Sequence, residues 1–155
     1  MTLCGTVRPV SAVVSFQSWT ADAFFVCSDA LLGEVNKGFV IMMQELPRER
    51  LGIAAQEVAQ AEGALKLTVQ YVQERHAFGQ PIAKFQNTRF KLAEVKTDIA
   101  LNRALYERYA DQYSRGELTA DEAAMLKLAS CEMQCKVVDE CLQLFGGYGY
   151  TTEYP

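Results

Sequence analysis

Between Thr119 and Phe145, the positions Ala124, Leu128, Cys131, Cys135, Val138, Leu142 and Phe145 recur at alternating spacings of four and three. That period returns the same face every two helical turns, so it describes an α-helix and no strand. A seam held for three heptads packs against neighbours running nearly antiparallel to it, which makes a helical bundle the expected architecture. Thr119 with Glu122 three residues on is a capping-box signature, and it marks where this helix begins.

The remainder of the chain from Gly38 onward also reads as helix. A short helix over 39–45 is expected to stop at Pro47, which sits best as the first residue of a new helical segment. The next helix runs to about 75, with Leu51, Ala54, Ala55, Val58, Leu65, Val69 and Val72 at helical spacing. Phe78-Gly79-Gln80-Pro81 breaks it. A further helix over 83–114 carries Leu92, Val95, Ile99, Tyr106, Tyr109 and Tyr113 on one side, and Gly116 ends it. Residues 1–35 differ: they hold Gly, Pro, Ser and β-branched runs without a helical period. The expected fold is all-α, an antiparallel helical bundle over 36–155 behind an unassigned lead-in.

Composition narrows the partners. The net charge is −4, and a nucleic-acid binder needs a basic surface to neutralise phosphates, so none is expected. No run of 18 apolar residues exists, and no membrane span is expected. The first 21 residues lack acids as transit peptides do, but one arginine is too little basic charge to make one. The cysteines are Cys4, Cys27, Cys131, Cys135 and Cys141, and His76 is the only histidine. This lacks the paired ligands of a zinc site, so neither metal nor disulfide is expected, and the thiols read as buried and reduced.

Three segments carry more than bundle packing asks for. Leu46-Pro47-Arg48-Glu49-Arg50-Leu51 crowds charge at a helix start, which composition alone explains as an acid suited to the helix dipole beside solvated arginines. Glu74-Arg75-His76-Ala77-Phe78-Gly79-Gln80-Pro81, then Lys84-Phe85-Gln86, offers a bidentate phosphate donor in Arg75 and an aromatic face in Phe78. From the residues alone, a basic helix end followed by a Gly-Pro turn with a buried Phe is the better account of it. Gln143-Leu144-Phe145-Gly146-Gly147-Tyr148-Gly149-Tyr150 places three glycines in four residues, more than a helix cap needs. Such density points to backbone approaching a ligand or another chain closely.

Taken together these segments resemble the acyl-CoA dehydrogenase family. Arg-His-Ala-Phe-Gly-Gln-Pro-Ile with Phe-Gln after it is similar to the family's flavin-contacting turn. Gln-Leu-Phe-Gly-Gly-Tyr-Gly-Tyr-Thr-Thr-Glu-Tyr-Pro is similar to its glycine-rich turn, and Leu-Leu-Gly-Glu-Val-Asn-Lys-Gly-Phe matches the lead-in. All three stand in family order over roughly 30–155.

The resemblance implies an FAD-dependent enzyme that oxidises acyl-CoA thioesters to trans-2-enoyl-CoA. The flavin takes a hydride from the β-carbon while a carboxylate removes an α-proton. It places Arg75, His76 and Ala77 at the FAD turn, with Phe85 and Gln86 as a second contact. Gln143, Leu144, Phe145, Gly146 and Gly147 fall on the segment that reaches FAD across a subunit interface in the family. Most members carry the base beyond the position of Pro155. Leu-Pro-Arg-Glu-Arg-Leu instead resembles the long-chain type, with the base at Glu49 and substrate contacts from Pro47, Arg48 and Arg50. A carboxylate that loses solvation in an apolar tunnel becomes a better base.

The resemblance further implies an electron-transferring flavoprotein as acceptor, a homo-tetramer or dimer, and a mitochondrial-matrix or bacterial cytoplasmic setting. The family's amino-terminal helical domain and β-barrel have no counterpart here, beyond a segment at 20–25 that looks like a last barrel strand. The chain is therefore expected to be an incomplete copy. The rival expectations are an acyl-CoA oxidase-type flavoenzyme and a catalytically dead helical fragment that serves subunit packing.

Overall fold

The computed structural model describes residues 33–154 and two short strands, β1 (Arg8–Pro9) and β2 (Phe25–Val26). These strands pair antiparallel, Arg8 opposite Val26 and Pro9 opposite Phe25. Of the segment read as a barrel strand, β2 takes up Phe25; the rest lies outside the described residues, as do Cys4 and Cys27. The contacts divide into two units, Met1–Glu45 and Leu46–Pro155, and the second holds the bundle.

Helix α1 spans Gly38–Glu74 with Pro47 inside it, so the expected break at 47 does not occur. Proline removes one ladder hydrogen bond and crowds the carbonyl four residues back. The flanking Met42, Met43, Gln44 and Glu45, then Arg48, Glu49, Arg50 and Leu51, are strong helix formers that carry the helix across that gap. A tight hairpin follows, β3 (His76–Ala77) against β4 (Gln80–Pro81). Its central residues Phe78 and Gly79 both have positive φ, 51° and 81°, the pattern of a type I′ turn. A 3-10 turn at Ile82–Lys84 leads into α2 (Gln86–Ser114), and α3 (Ala120–Phe145) ends in a 3-10 turn at Gly146–Tyr150.

Side-chain links give the helix directions. Between α2 and α3, Lys91 meets Glu140, Asp98 meets Lys136, and Gln112 meets Glu122. One number rises as the other falls, so these helices are antiparallel. Glu62 with Arg103 and Leu51 with Tyr109 show the same for α1 and α2. Between α1 and α3, Arg50 meets Ala120, Gln60 meets Gln134, and Tyr71 meets Phe145. Both numbers rise together, so α1 and α3 are parallel. The result is an up-down-up bundle in which consecutive helices are antiparallel.

Two apolar clusters fill it. Val58 and Ala61 of α1, Val95 and Ile99 of α2, and Met133, Val137 and Cys141 of α3 form one; Leu51, Ala54, Tyr109 and Leu126 form the other. The face that α3 buries is Ala123, Leu126, Ser130, Met133, Val137 and Cys141. This corrects the expected seam. Leu128 is 60% exposed, Val138 40%, and Cys135 is exposed. The seam lies about a third of the way round the helix from the buried face. Helix α3 is apolar on two faces, and the smaller residues Ala123 and Ser130 mark the one that the bundle covers. The thiols correspondingly divide: Cys141 is buried, Cys131 intermediate and Cys135 exposed, so the expectation of buried cysteines fails for Cys135.

The capping box forms as its spacing requires. The Glu122 N–H donates to the Thr119 hydroxyl oxygen at 3.2 Å, and the Thr119 N–H donates to the Glu122 carboxylate at 3.0 Å. That backbone N–H, aided by the Thr119 hydroxyl, holds the Glu122 carboxyl below its ordinary pKa. A carboxyl lowered on folding stabilises above its unfolded pKa, and the contribution is lost as pH falls through its folded value. Thr119→Ala is therefore expected to cost about 1 kcal/mol at neutral pH, read as a urea midpoint. Glu122→Gln should flatten the acid limb of the stability curve below the usual carboxylate range, while the wild type declines there.

Candidate functional site

Because α1 and α3 run parallel, their carboxyl-terminal ends meet. Tyr71 and Arg75 lie one turn apart on one face at the end of α1. The Tyr71 ring stacks on Phe145, the last residue of α3, with centroids 4.2 Å apart and planes inclined by 16°. Its hydroxyl donates to the Phe145 carbonyl at 3.2 Å. Tyr154 sets its edge against Tyr71 at 5.4 Å and also borders Phe145 and Tyr148. The Arg75 guanidinium carbon stands 4.9 Å from the centre of the Tyr148 ring.

Tyr71, Arg75, Phe145 and Tyr148 help to wall a cleft of about 430 Å³, a common size for a small-molecule site. Tyr71, Arg75 and Ile82 form one side; Leu144, Phe145, Gly146, Gly147, Tyr148 and Thr151 form the other. Burial raises the Tyr71 pKa above its ordinary phenol value, against the opposing pull of Arg75. One guanidinium, two tyrosine rings and a glycine backbone make a surface suited to an anion carrying a flat ring.

Of the residues singled out from sequence, Arg75, Leu144, Phe145, Gly146 and Gly147 come together on this cleft. His76 and Ala77 form strand β3 beside it, and the His76 Nδ1 lies 3.0 Å from the Glu74 carbonyl. Phe85 is the residue before α2, with its ring 6.3 Å from that of Phe78, which is 97% exposed. Gln86 and Gln143 are exposed. Ile82, Tyr148 and Thr151 lay within the quoted motifs but were given no role, and Tyr71 lay outside them. Tyr71 could have been found, since it precedes Arg75 by four residues and so shares its helix face.

Pro47, Arg48, Glu49 and Arg50 lie at the other end of the bundle. Glu49 is exposed, and the Arg50 Nη1 reaches the Ala120 carbonyl at 3.4 Å. Twenty-five residues of α1 separate Glu49 from Glu74, about 37 Å at the helical rise. No dinucleotide spans that distance, so one copy does not present its acid and its cleft to the same ligand.

Residues 36–155 match the family model described as acyl-CoA dehydrogenase, C-terminal domain. The chain belongs to the acyl-CoA dehydrogenase family. It is 43% identical over 140 residues to the mitochondrial long-chain specific acyl-CoA dehydrogenase of Mus musculus, covering 88% of this chain and 33% of that protein. It is 41% identical over 130 residues to the short-chain specific acyl-CoA dehydrogenase of Megasphaera elsdenii, covering 84% and 34%. An acyl-CoA dehydrogenase crystal structure from Geobacillus kaustophilus superposes with a TM-score of 0.83 at 41% identity, covering 88% of this chain and 36% of that one. The chain thus spans about a third of the length of the relatives it matches. Among the described residues, no helix is long and apolar enough to cross a membrane, and no group of three or more His, Cys, Asp or Glu could hold a metal ion.

The family's glycine-rich turn divides its glycines by role in this chain. Gly146 adopts φ 61° and ψ −138°, a conformation that only glycine takes readily. A Cβ on Gly149 would meet the Leu142 Cδ1 at 2.5 Å and the Leu142 carbonyl oxygen at 3.3 Å. Gly147 has no positive φ, and a Cβ there meets nothing within 4 Å. The fold requires Gly146 and Gly149, whereas Gly147 borders open cleft. Gly146→Ala and Gly149→Ala are each expected to destabilise by about 1–3 kcal/mol. Gly147→Ala should leave the thermal midpoint unchanged, and three melting curves make the comparison.

Proposed function

We propose that this chain supplies the helical part of an FAD-dependent acyl-CoA dehydrogenase that converts acyl-CoA thioesters to trans-2-enoyl-CoA. The observation that carries the reading is Gly147, a glycine at the cleft for which the described fold gives no reason. A side chain there would project towards whatever the cleft binds. The lining fits a flavin nucleotide: Arg75 would pair with phosphate, the Gly146–Gly147 backbone would lie close beside it, and Tyr148 would offer a ring face. His76, Ala77, Phe85, Gln86, Gln143, Leu144 and Phe145 complete the proposed contact region.

FAD, when bound, supplies hydride acceptance from the substrate β-carbon. Glu49 removes the α-proton, and Pro47, Arg48 and Arg50 border the thioester arm. The acid end of one copy and the cleft end of another then serve the same flavin, which is why we assign the enzyme a dimer or tetramer. The exposed stripe of α3 supports that assembly, because Leu128 and Val138 lie on a heptad seam that the bundle leaves open. The same stripe favours a second reading, in which the chain contributes subunit packing without catalysis. We assign an electron-transferring flavoprotein as acceptor in preference to dioxygen, and the mitochondrial matrix or bacterial cytoplasm as the setting.

The test is run on a full-length enzyme made by joining this chain to the remaining parts of a long-chain relative. Arg75→Ala is expected to lower flavin retention through gel filtration about tenfold to a hundredfold, since a charge-assisted contact contributes ~1.5–3 kcal/mol. Glu49→Gln should keep its flavin yet slow anaerobic bleaching by acyl-CoA at least ~100-fold. Bleaching at the wild-type rate would remove Glu49 from the mechanism. If neither variant alters flavin content or turnover, the packing reading replaces the enzymatic one. Leu128→Glu should shift the sedimentation coefficient towards a smaller species by placing a charge on the open seam.

A further inference from the structure

We propose that Tyr71 is the positioning residue of the cleft: its ring and hydroxyl hold the last residue of α3 so that the Gly146–Gly147 backbone faces the ligand bound by Arg75. The inference deepens the cofactor reading and rests on it for the identity of that ligand.

The carbonyls in the last turn of a helix have no partner within the helix. The Gly146 N–H turns back to the carbonyls of Gln143 and Leu142. The Phe145 carbonyl is met by the Tyr71 hydroxyl at 3.2 Å. The Tyr71 ring lies against the Phe145 ring over its face, and Tyr154 closes its edge. Phe145 is thereby fixed through backbone and side chain at once. The next residue, Gly146, makes the sharp change of direction at φ 61°, so the orientation of the turn follows from where Phe145 is held. Burial favours the protonated phenol, which keeps the hydroxyl a donor well above neutral pH.

Location makes Tyr71 more than a core residue. It is 8% exposed and lines the cleft itself, four residues before Arg75 on one helix face. The last turn of α1 therefore carries the anchor for the backbone opposite, and the cation for the ligand follows directly, its N–H bonded to the Tyr71 carbonyl at 2.8 Å. Any shift of that turn moves the two together. A leucine at 71 would fill space but would neither donate to the Phe145 carbonyl nor stack on its ring.

Amide hydrogen exchange on the free chain tests this without needing bound flavin. In Tyr71→Phe the ring remains and the hydroxyl is lost, so the amides of Gly146, Gly147 and Tyr148 should exchange about fivefold faster. In Tyr71→Leu the increase should reach roughly thirtyfold, since the stack is lost as well. The core amides of Val58, Val95 and Val137 should keep their wild-type rates in both. Core amides accelerating as much as the turn would make Tyr71 an ordinary packing residue, and an unchanged turn would overturn the proposal outright. A parallel titration with FAD, followed by flavin fluorescence in the completed enzyme, separates the two claims. Weaker binding in Arg75→Ala with wild-type binding in Tyr71→Leu would sink the positioning role alone. Wild-type binding in both, with the turn loosened in Tyr71→Leu, would sink the cofactor reading and leave Tyr71 as the anchor of a turn whose ligand is not FAD.

Discussion

The cleft depends on one packing relation, the parallel alignment of α1 with α3. Where the helices of the bundle meet, several fully buried residues are small: Ala54, Ala61 and Thr68 on α1, and Ala123 and Ser130 on α3. Such residues leave shallow grooves in which side chains of the facing helix can seat at one height. The buried hydroxyls do not disturb this. Thr68 donates to the Ala64 carbonyl and Ser130 to the Lys127 carbonyl, each within its own helix. With the height fixed, Tyr71 meets Phe145 at one end and Arg50 meets Ala120 at the other. The glycine turn would have no partner if α3 slid by one turn.

Ion pairs add register on the other side of the bundle. Lys91 with Glu140 and Lys136 with Asp98 tie α2 to α3 at two heights, and Glu62 holds Arg103 with two hydrogen bonds between α1 and α2. Exposed pairs of this kind contribute little stability individually. Their value here is directional, since each tolerates one vertical setting of its helices. The apolar clusters supply the driving force, and the charged pairs discriminate among the ways those clusters could align.

Much of this was legible in the sequence. The capping box at Thr119 and Glu122 formed as its spacing required, and Leu51, Ala54, Val58 and Val72 face the core as their period implied. Local chemistry decides both, so local sequence suffices. Pro47 misled because its neighbours are helix formers that outweigh one lost hydrogen bond. The α3 seam misled for a different reason. A helix with two apolar faces has two readable stripes, and the one richer in Leu and Val is the one that the bundle leaves open. Arg75 and the glycine turn were each visible as motifs, but their meeting was not. That meeting depends on the direction of α3 relative to α1, which passes through the whole length of α2. Tyr71 was overlooked because a tyrosine at a core-facing helical position resembles any other core aromatic until its neighbour across the bundle is known.

The bundle also works as a spacer. Glu49 and Glu74 stand on one rigid element, about 37 Å apart along α1, with Arg75 just past its end, and no change of side-chain rotamer brings the acid to the cleft. A fold that carries an acid at one end and a cleft lined by Arg75 and two tyrosines at the other either serves two ligands or is joined by another copy. The open stripe of α3 bears on the choice, because a helix that is apolar on a second face needs a second cover. Self-association meets both needs at once: it covers the stripe and can set the acid of one copy beside the cleft of the next. Under that arrangement the length of α1 sets the distance over which two copies must be offset. A deletion of one helical turn between Glu49 and Tyr71 would then disturb the assembled site even though every side chain in both half-sites remained.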